Sequence, residues 1–337
     1  MRHHRTYPLA SALLALVMAI AAVAGVTIEI GTDGTVRIHV DGDSQVIIEQ
    51  TDDGSENPGT EPGGWPTSTK LVRDGGIGFD SINLTDPDAT VSIEGFLIRG
   101  GELGFRVQQG RNFPAIAGLT VRDTLVEASV EQGGYVKDVR SIDIDGLIVR
   151  GVSDGRFDNF LQGVYISVDR AGLAAEVTVR HSAFIDLPHY GLKFRSDRER
   201  GFKRIVIEDC LFVDCPEPLG FKPNEDPTTG QLPRAPNGEV VIRNCVFVWT
   251  GKRAWPDDWP AEARKLVRLY RAEKLVFEGN VSMGTIERAD QAKDAIAYAR
   301  WPSNARVAGN RHRDTAPALE LPASPKDIKP LIERLRQ

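Results

Sequence analysis

From residue 91 onward, one short pattern of apolar and polar positions keeps returning: apolar, any, apolar, charged, turn residue, small or apolar, any, apolar. It reads VSIEGFLI from 91, LTVRDTLV from 119, IDIDGLIV from 142, VTVRHSAF from 177, IVIEDCLF from 205, VVIRNCVF from 240, LVFEGNVS from 275 and a degenerate ARVAGN from 305. Alternation on either side of the turn residue predicts two short strands whose first and third positions point into a core. The fifth column holds Gly95, Asp123, Gly146, His181, Asp209, Asn244, Gly279 and Gly309. These residue types tolerate a left-handed backbone best, so each unit is expected to bend sharply there. The fourth column, Glu94, Arg122, Asp145, Arg180, Glu208, Arg243 and Glu278, alternates in sign without a break. Stacked in order as parallel strands about 4.8 Å apart, each charge would have opposite charges above and below it. Phe184, Phe212 and Phe247 share the eighth column and read as a core stack.

A second strand, usually opened by glycine, recurs in each unit: GFRVQ from 104, GYVK from 134, GVYIS from 163, GLKFR from 191, GFKPN from 220, and VRLY from 267 without the glycine. Residues 26–50 alternate around two turns and predict three short strands. Residues 51–68 are acidic and rich in Gly and Pro, as a linker would be. Near the end, Ile328, Leu331, Ile332 and Leu335 recur at helical spacing and predict a helix. A stack of strands exposes edges at both ends. The 26–50 strands are expected to cover the front and this helix to cap the back.

Repetition at intervals of 23 to 35 residues is the signature of a solenoid. Strand, one-residue bend and second strand together resemble the right-handed parallel β-helix of the pectate-lyase-like superfamily. The resemblance implies an all-β, single-stranded right-handed parallel β-helix of about eight coils. The expected division is a signal peptide at 1–24, a short β segment at 25–50, the linker at 51–68, the β-helix at 69–315 and a tail with the helix at 316–337.

Composition narrows the picture. Arg2 and Arg5, the apolar run Ala10 to Ala21 and the small residues Ala22-Val23-Ala24 form an export signal, so the chain is expected to be extracellular, at the cell surface or in the periplasm. No other stretch reads as a membrane span. A net charge of −6 argues against a nucleic-acid coat. Three cysteines are too few for a disulfide scaffold. Cys210 and Cys245 share the sixth column, where either a disulfide or two buried thiols would fit, with Cys215 five residues beyond Cys210.

Candidate chemistry lies on the second strands. Alternation sends Phe105, Val164, Ile166, Leu192, Phe194, Phe221 and Leu269 inward. Outward positions are then Arg106, Tyr135, Lys137, Tyr165, Ser167, Lys193, Arg195, Lys222, Asn224, Arg268 and Tyr270. On a chain of negative net charge, this cationic face with tyrosines suits an acidic, uronate-containing polysaccharide, the cations holding carboxylates and the tyrosines lying on sugar faces. The plainer reading is a solvated face neutralised by nearby acids such as Asp138 and Asp169. Breaking a uronate at C4 by β-elimination needs a base at C5, a cation on the carboxylate and an acid for the leaving oxygen. His189 or Lys193 is the candidate base, Arg195 the carboxylate partner and Tyr165 the proton donor. Arg106, Tyr135, Lys137, Lys222, Asn224, Arg268 and Tyr270 would bind substrate.

Polysaccharide lyases, mannuronan epimerases, polygalacturonases and phage tailspikes have similar architectures. The epimerases' Asp-Pro-His run is approached by Asp186-Leu187-Pro188-His189, with one extra residue. Adjacent Asp pairs stand only at 52–53 and 257–258, outside the repeats, which disfavours hydrolysis. Three functions remain open: a lyase, a C5-epimerase, or a non-catalytic surface or envelope protein that binds glycan. Asp154, Asp158 and Asp169 are candidate ligands for Ca2+. The Trp-bearing segment 250–265 is either a wall of the furrow or a packed loop. Asn83 and Asn280 head glycosylation sequons.

Overall fold

The computed structural model describes residues 26–30, 36–40, 46–49, 68–71, 77–82, 84, 87–99, 102–110, 112–152, 162–196, 201–222, 237–252, 265–298 and 301–337. Their strands collect into two sheets, one of seventeen strands and one of nine. The molecule is all-β and solenoid-like. Ala175–Arg180, Phe202–Glu208, Asn237–Arg243, Lys274–Glu278 and Asn304–Ala308 lie parallel, each hydrogen-bonded to the next. This register stacks Val177, Ile205, Val240 and Leu275 in one buried row and Val179, Ile207, Ile242 and Phe277 in another. The same core receives Phe105, Val164, Ile166, Leu192, Phe194, Phe221 and Leu269 from the nine-stranded sheet, as the alternation predicts.

All eight residues of the fifth column have positive φ, from 43° at Asp123 to 77° at Gly146. The bend is therefore a left-handed residue repeated once per coil. The sign-alternating fourth column stacks as expected: Glu94 opposes Arg122, then Asp145, Arg180, Glu208, Arg243 and Glu278 follow coil by coil. Arg180 Nε donates to Asp145 Oδ2 at 2.9 Å, and Arg243 Nε to Glu208 Oε2 at 2.6 Å. Phe184, Phe212 and Phe247 stack with ring centroids 5.2 Å apart at each step.

Facing that stack is a column of glycines. A Cβ at Gly163 would lie 2.9 Å from Phe184 Cδ1 and 2.3 Å from Gly191 O; one at Gly191 would lie 2.7 Å from Phe212 Cδ1. The large rings on one sheet thus leave room only for backbone on the other.

Next to the bend runs an interior polar ladder. Cys210, Cys245 and Asn280 are fully buried there. Asn280 Oδ1 accepts from Cys245 N at 2.9 Å, and Asn280 Nδ2 donates to Ile242 O at 3.1 Å. Burial and these bonds leave Asn280 no exposed amide for glycosylation; Asn83 lies outside the described residues. Cys210, Cys215 and Cys245 are free thiols, not a disulfide. Cys210 Sγ donates to Glu208 O at 3.3 Å and Cys245 Sγ to Arg243 O at 3.4 Å, so each thiol has a carbonyl partner in its own bend.

Strands Val36–Val40 and Val46–Glu49 pair in parallel with Thr90–Glu94 and Phe96–Arg99, so the front segment continues the first sheet. The back end differs from expectation. Helix Ile328–Arg336 does form, but its buried Ile328, Leu331, Ile332 and Leu335 pack on Ile148, Ala183, Ile185, Leu211, Val213, Val246, Val248, Val281 and Met283. Those are the side chains that point away from the core on successive coils. Arg150 Nη1 reaches Pro322 O at 3.5 Å, while Arg336 Nη2 reaches Asn244 Oδ1 at 2.8 Å. The helix is therefore a strap along the flank. It lies there because the seventh-column alternation leaves an outer apolar stripe needing cover. Among the described residues, no helix is long and apolar enough to cross a membrane.

Candidate functional site

The nine-stranded sheet carries the candidate residues, and its register places them in columns. The first runs Arg106, Tyr135, Tyr165, Lys193, Gly220 and Arg268; the second runs Gln108, Lys137, Ser167, Arg195 and Lys222. Tyrosine, serine and glycine thus separate most of the cations, and the only like charges in successive positions of these columns are Arg195 and Lys222. Like charges stacked on neighbouring strands would repel, and this interleaving avoids most such pairs. Gly220, and not the cation Lys222 two residues on, stands level with Lys193.

Gly220 is needed at that position. A Cβ would lie 2.4 Å from Tyr190 Cε1, because the Tyr190 ring overlies this backbone. Tyr190 belongs to a third column, Leu103, Gln132, Gln162, Tyr190 and Glu217. All five are buried, yet none belongs to the main cluster of packed core side chains.

The four residues assigned to catalysis form two linked contacts, Tyr165 with Lys193 and Arg195, and Tyr190 with His189 and Lys193. Arg195 Nη1 donates to Tyr165 Oη at 3.0 Å. Lys193 Nζ sits 5.0 Å from the Tyr165 ring centroid and 5.3 Å from that of Tyr190, a cation–π position between two coils. Tyr135 extends the aromatic floor, its ring 5.4 Å from that of Tyr165. His189 is stacked on Tyr190 with centroids 3.9 Å apart, and its Nε2 lies 3.8 Å from Glu217 Oε2. Tyr190 thus neighbours both His189 and Lys193.

Burial dominates the electrostatics. It pushes the Tyr165 phenol up to about 12, although the Arg195 guanidinium pulls the other way. Tyr135 is raised by burial too, and Tyr190 rises further still, burial being joined there by the Glu217 carboxylate. All three phenols hold their protons at neutral pH. Burial works against the Lys137 ammonium, but the Asp169 carboxylate 2.7 Å away outweighs it and raises the pKa.

Two of the substrate-binding candidates are already paired with acids. Lys137 is held by Asp169, and Arg268 is held by Glu217, a carboxylate with only 1% of its surface exposed. Arg106 and Tyr270 are half-buried; the Arg271 guanidinium lies 5.6 Å from the Tyr270 ring centroid. The side chain of Lys222, and Asn224, Trp255 and Trp259 altogether, lie outside the described residues. Asp154 and Asp158 lie outside them too. Asp169 is engaged by Lys137, and its N–H donates to Asp138 Oδ1 at 2.8 Å. Among the described residues no three His, Cys, Asp or Glu side chains converge on one point.

Sequence reasoning missed Tyr190 and Glu217 as site residues. Both open their strands, where alternation places them on neither face clearly. The available signal was their place one coil apart beside Gln132 and Gln162, visible only once the register is known. No protein-family model matches the chain, and neither curated proteins nor solved structures give a match.

Proposed function

We propose that this is an exported right-handed parallel β-helix protein that binds acidic polysaccharide along the face from Arg106 to Arg268 and cleaves it by β-elimination. The observation that carries the reading is the Tyr165–Lys193–Arg195 cluster, built across two adjacent coils, with Arg195 bonded to Tyr165 at 3.0 Å. Each part has the chemistry that elimination requires. Arg195 offers a guanidinium to the uronate carboxylate, whose charge grows as C5 loses its proton. Tyr165 keeps its proton up to about 12 and serves as the acid for the leaving oxygen. Lys193 or His189 takes the C5 proton, with Lys193 nearer to Tyr165. A base that returned the proton on the other face would make the same set an epimerase.

The Asp169 and Glu217 pairings favour a second reading, a non-catalytic envelope protein that binds glycan, since they neutralise two of the cations. The test incubates the mature protein with alginate, pectate, hyaluronan and chondroitin sulfate, with and without calcium, and follows the ultraviolet absorbance of unsaturated uronate. A rise that disappears in Lys193→Ala and Arg195→Ala supports elimination. A flat trace with all four polymers refutes it on these substrates and leaves the glycan-binding reading.

A further inference from the structure

Helix Ile328–Arg336 lies along the flank, so it leaves the back of the stack uncapped. Ile296–Tyr298, Asn304–Ala308 and Arg311–Arg313 each pair with the preceding coil, and no described strand pairs with their outer edges. In the third column Val179, Ile207, Ile242 and Phe277 are fully buried, whereas Val307 of the last coil is 41% exposed. Tyr298, on the last strand of the other sheet, is 42% exposed. An open strand edge bearing apolar side chains is a template for pairing with another chain. Residues 304–313 also hold Arg306, Arg311 and Arg313 and no acid. All three arginines are exposed, Arg306 with 74% of its side chain.

The opposite end has the complementary sign. Residues 26–49 hold Glu29, Asp33, Asp41, Asp43 and Glu49 against a single Arg37. Strand Val26–Ile30 is outermost there and, among the described residues, pairs only with Val36–Val40. Register fixes what it would meet. Val36 is level with Val91 of the first column, and Val26–Ile30 runs antiparallel to its neighbour, which sets Ile30, Glu29 and Ile28 in the first three columns. At the back those columns end on Ala305, Arg306 and Val307.

We infer that the back end of one copy receives the front end of a second, Asn304–Ala308 pairing antiparallel with Val26–Ile30 of the second copy. The columns then continue across the junction, with Glu29 of the second copy opposite Arg306 and its Ile28 opposite Val307. Signs alternate along the second column, from Arg37 through Glu29 to Arg306, as they do along the fourth. Past the bend, Glu49 of the second copy faces Arg313 across one open rung, about 10 Å, within reach of attraction at low salt. The strand edge and apolar column supply affinity, and the charges supply direction. Front and back are different surfaces, so the contact is heterologous and copies add in a line without closing. The inference is independent of the glycan reading.

Sedimentation velocity of the mature protein over a wide concentration range tests it. Mass is expected to rise with concentration through whole multiples of the monomer, with no ceiling. Arg306→Glu/Arg313→Glu, at exposed positions, sets like charges against the front and should weaken association roughly hundredfold. Glu29→Lys/Glu49→Lys should weaken it similarly. An equimolar mixture of the two variants offers every end a partner of opposite sign and should assemble again, which also shows that both are folded. A monomer at all concentrations, or growth that stops at a two-fold dimer, would overturn the inference. So would undiminished association of the back-end variant, or a mixture of folded variants that stays monomeric. If Glu29→Lys/Glu49→Lys fails to fold, Val307→Asp decides, because it sets a carboxylate opposite Ile28 of the second copy; association unchanged by it overturns the junction.

Discussion

Reversing one charge of the alternating ladder tests whether its sign pattern stabilises the stack. Arg180 has Asp145 on the preceding coil and Glu208 on the following one. It also reaches Asp143 Oδ2 at 3.3 Å. In Arg180→Glu three carboxylates stand in consecutive rungs about 4.8 Å apart. At that spacing a pair of unit charges is worth about 0.9 kcal/mol in bulk water, and about four times that at the effective dielectric of a protein surface. About a third of the Arg180 and Asp145 side chains and about a fifth of the Glu208 side chain are exposed, so the lower end applies. Two attractions become two repulsions, a loss of about 3 kcal/mol at low ionic strength. For a chain of this size that lowers Tm by roughly 4–5 °C. Arg180→Gln removes the attractions without adding repulsion and should lose about half of that, under 2 kcal/mol. Thermal melts followed by circular dichroism, in low salt and in 1 M NaCl, provide the assay. Screening over about 3 Å at 1 M should return most of the extra loss of the Glu variant. Equal losses for the Glu and Gln variants, independent of salt, would refute the reasoning.

Gly163→Ala places a Cβ 2.3 Å from Gly191 O, where backbone must move, and is expected to cost about 2–3 kcal/mol in urea unfolding. Gly118→Ala, whose Cβ would meet nothing closer than 3.4 Å, is the control and should be near neutral; equal midpoints for the two variants would discount the glycine column. The Tyr165 phenol, held up to about 12, keeps a proton that the unfolded chain releases near 10. The unfolded state gains by ionising first, so stability is full below about pH 10 and declines by about 3 kcal/mol as pH rises through 12. Tyr165→Phe should lessen that decline by the share of one phenol and shrink the late phase of an ultraviolet tyrosinate titration, Tyr135 and Tyr190 still contributing to it. A difference titration centred near 10 would contradict it.

The sequence by itself determined the elements whose physics is local to one coil or repeats between neighbours. A left-handed bend accepts Gly, Asn, Asp or His, so the fifth column could be read residue by residue, and all eight positions have positive φ. Like charges avoid stacking, so the sign order of the fourth column gave the coil order. Alternation separated inward from outward side chains and named Tyr165, Lys193 and Arg195, of which Arg195 and Lys193 both meet Tyr165.

Only the tertiary structure decided what depends on exact register or on a partner distant in sequence. Glycine occurs in these strands for two different reasons: Gly163 and Gly191 make room for phenylalanines of the other sheet, while Gly220 makes room for Tyr190. The presence of glycine at a strand's start does not by itself tell these two reasons apart. The apolar stripe of the last helix was legible, but stripe periodicity says that a face is buried and not against what. Its partner surface comes from outward residues of successive coils, spaced up to 135 residues apart between Ile148 and Met283. Glu217 became visible the same way. A carboxylate at a strand's opening reads as solvated until the stack buries it beside His189, Tyr190 and Arg268, where its charge must be answered by neighbours rather than by water.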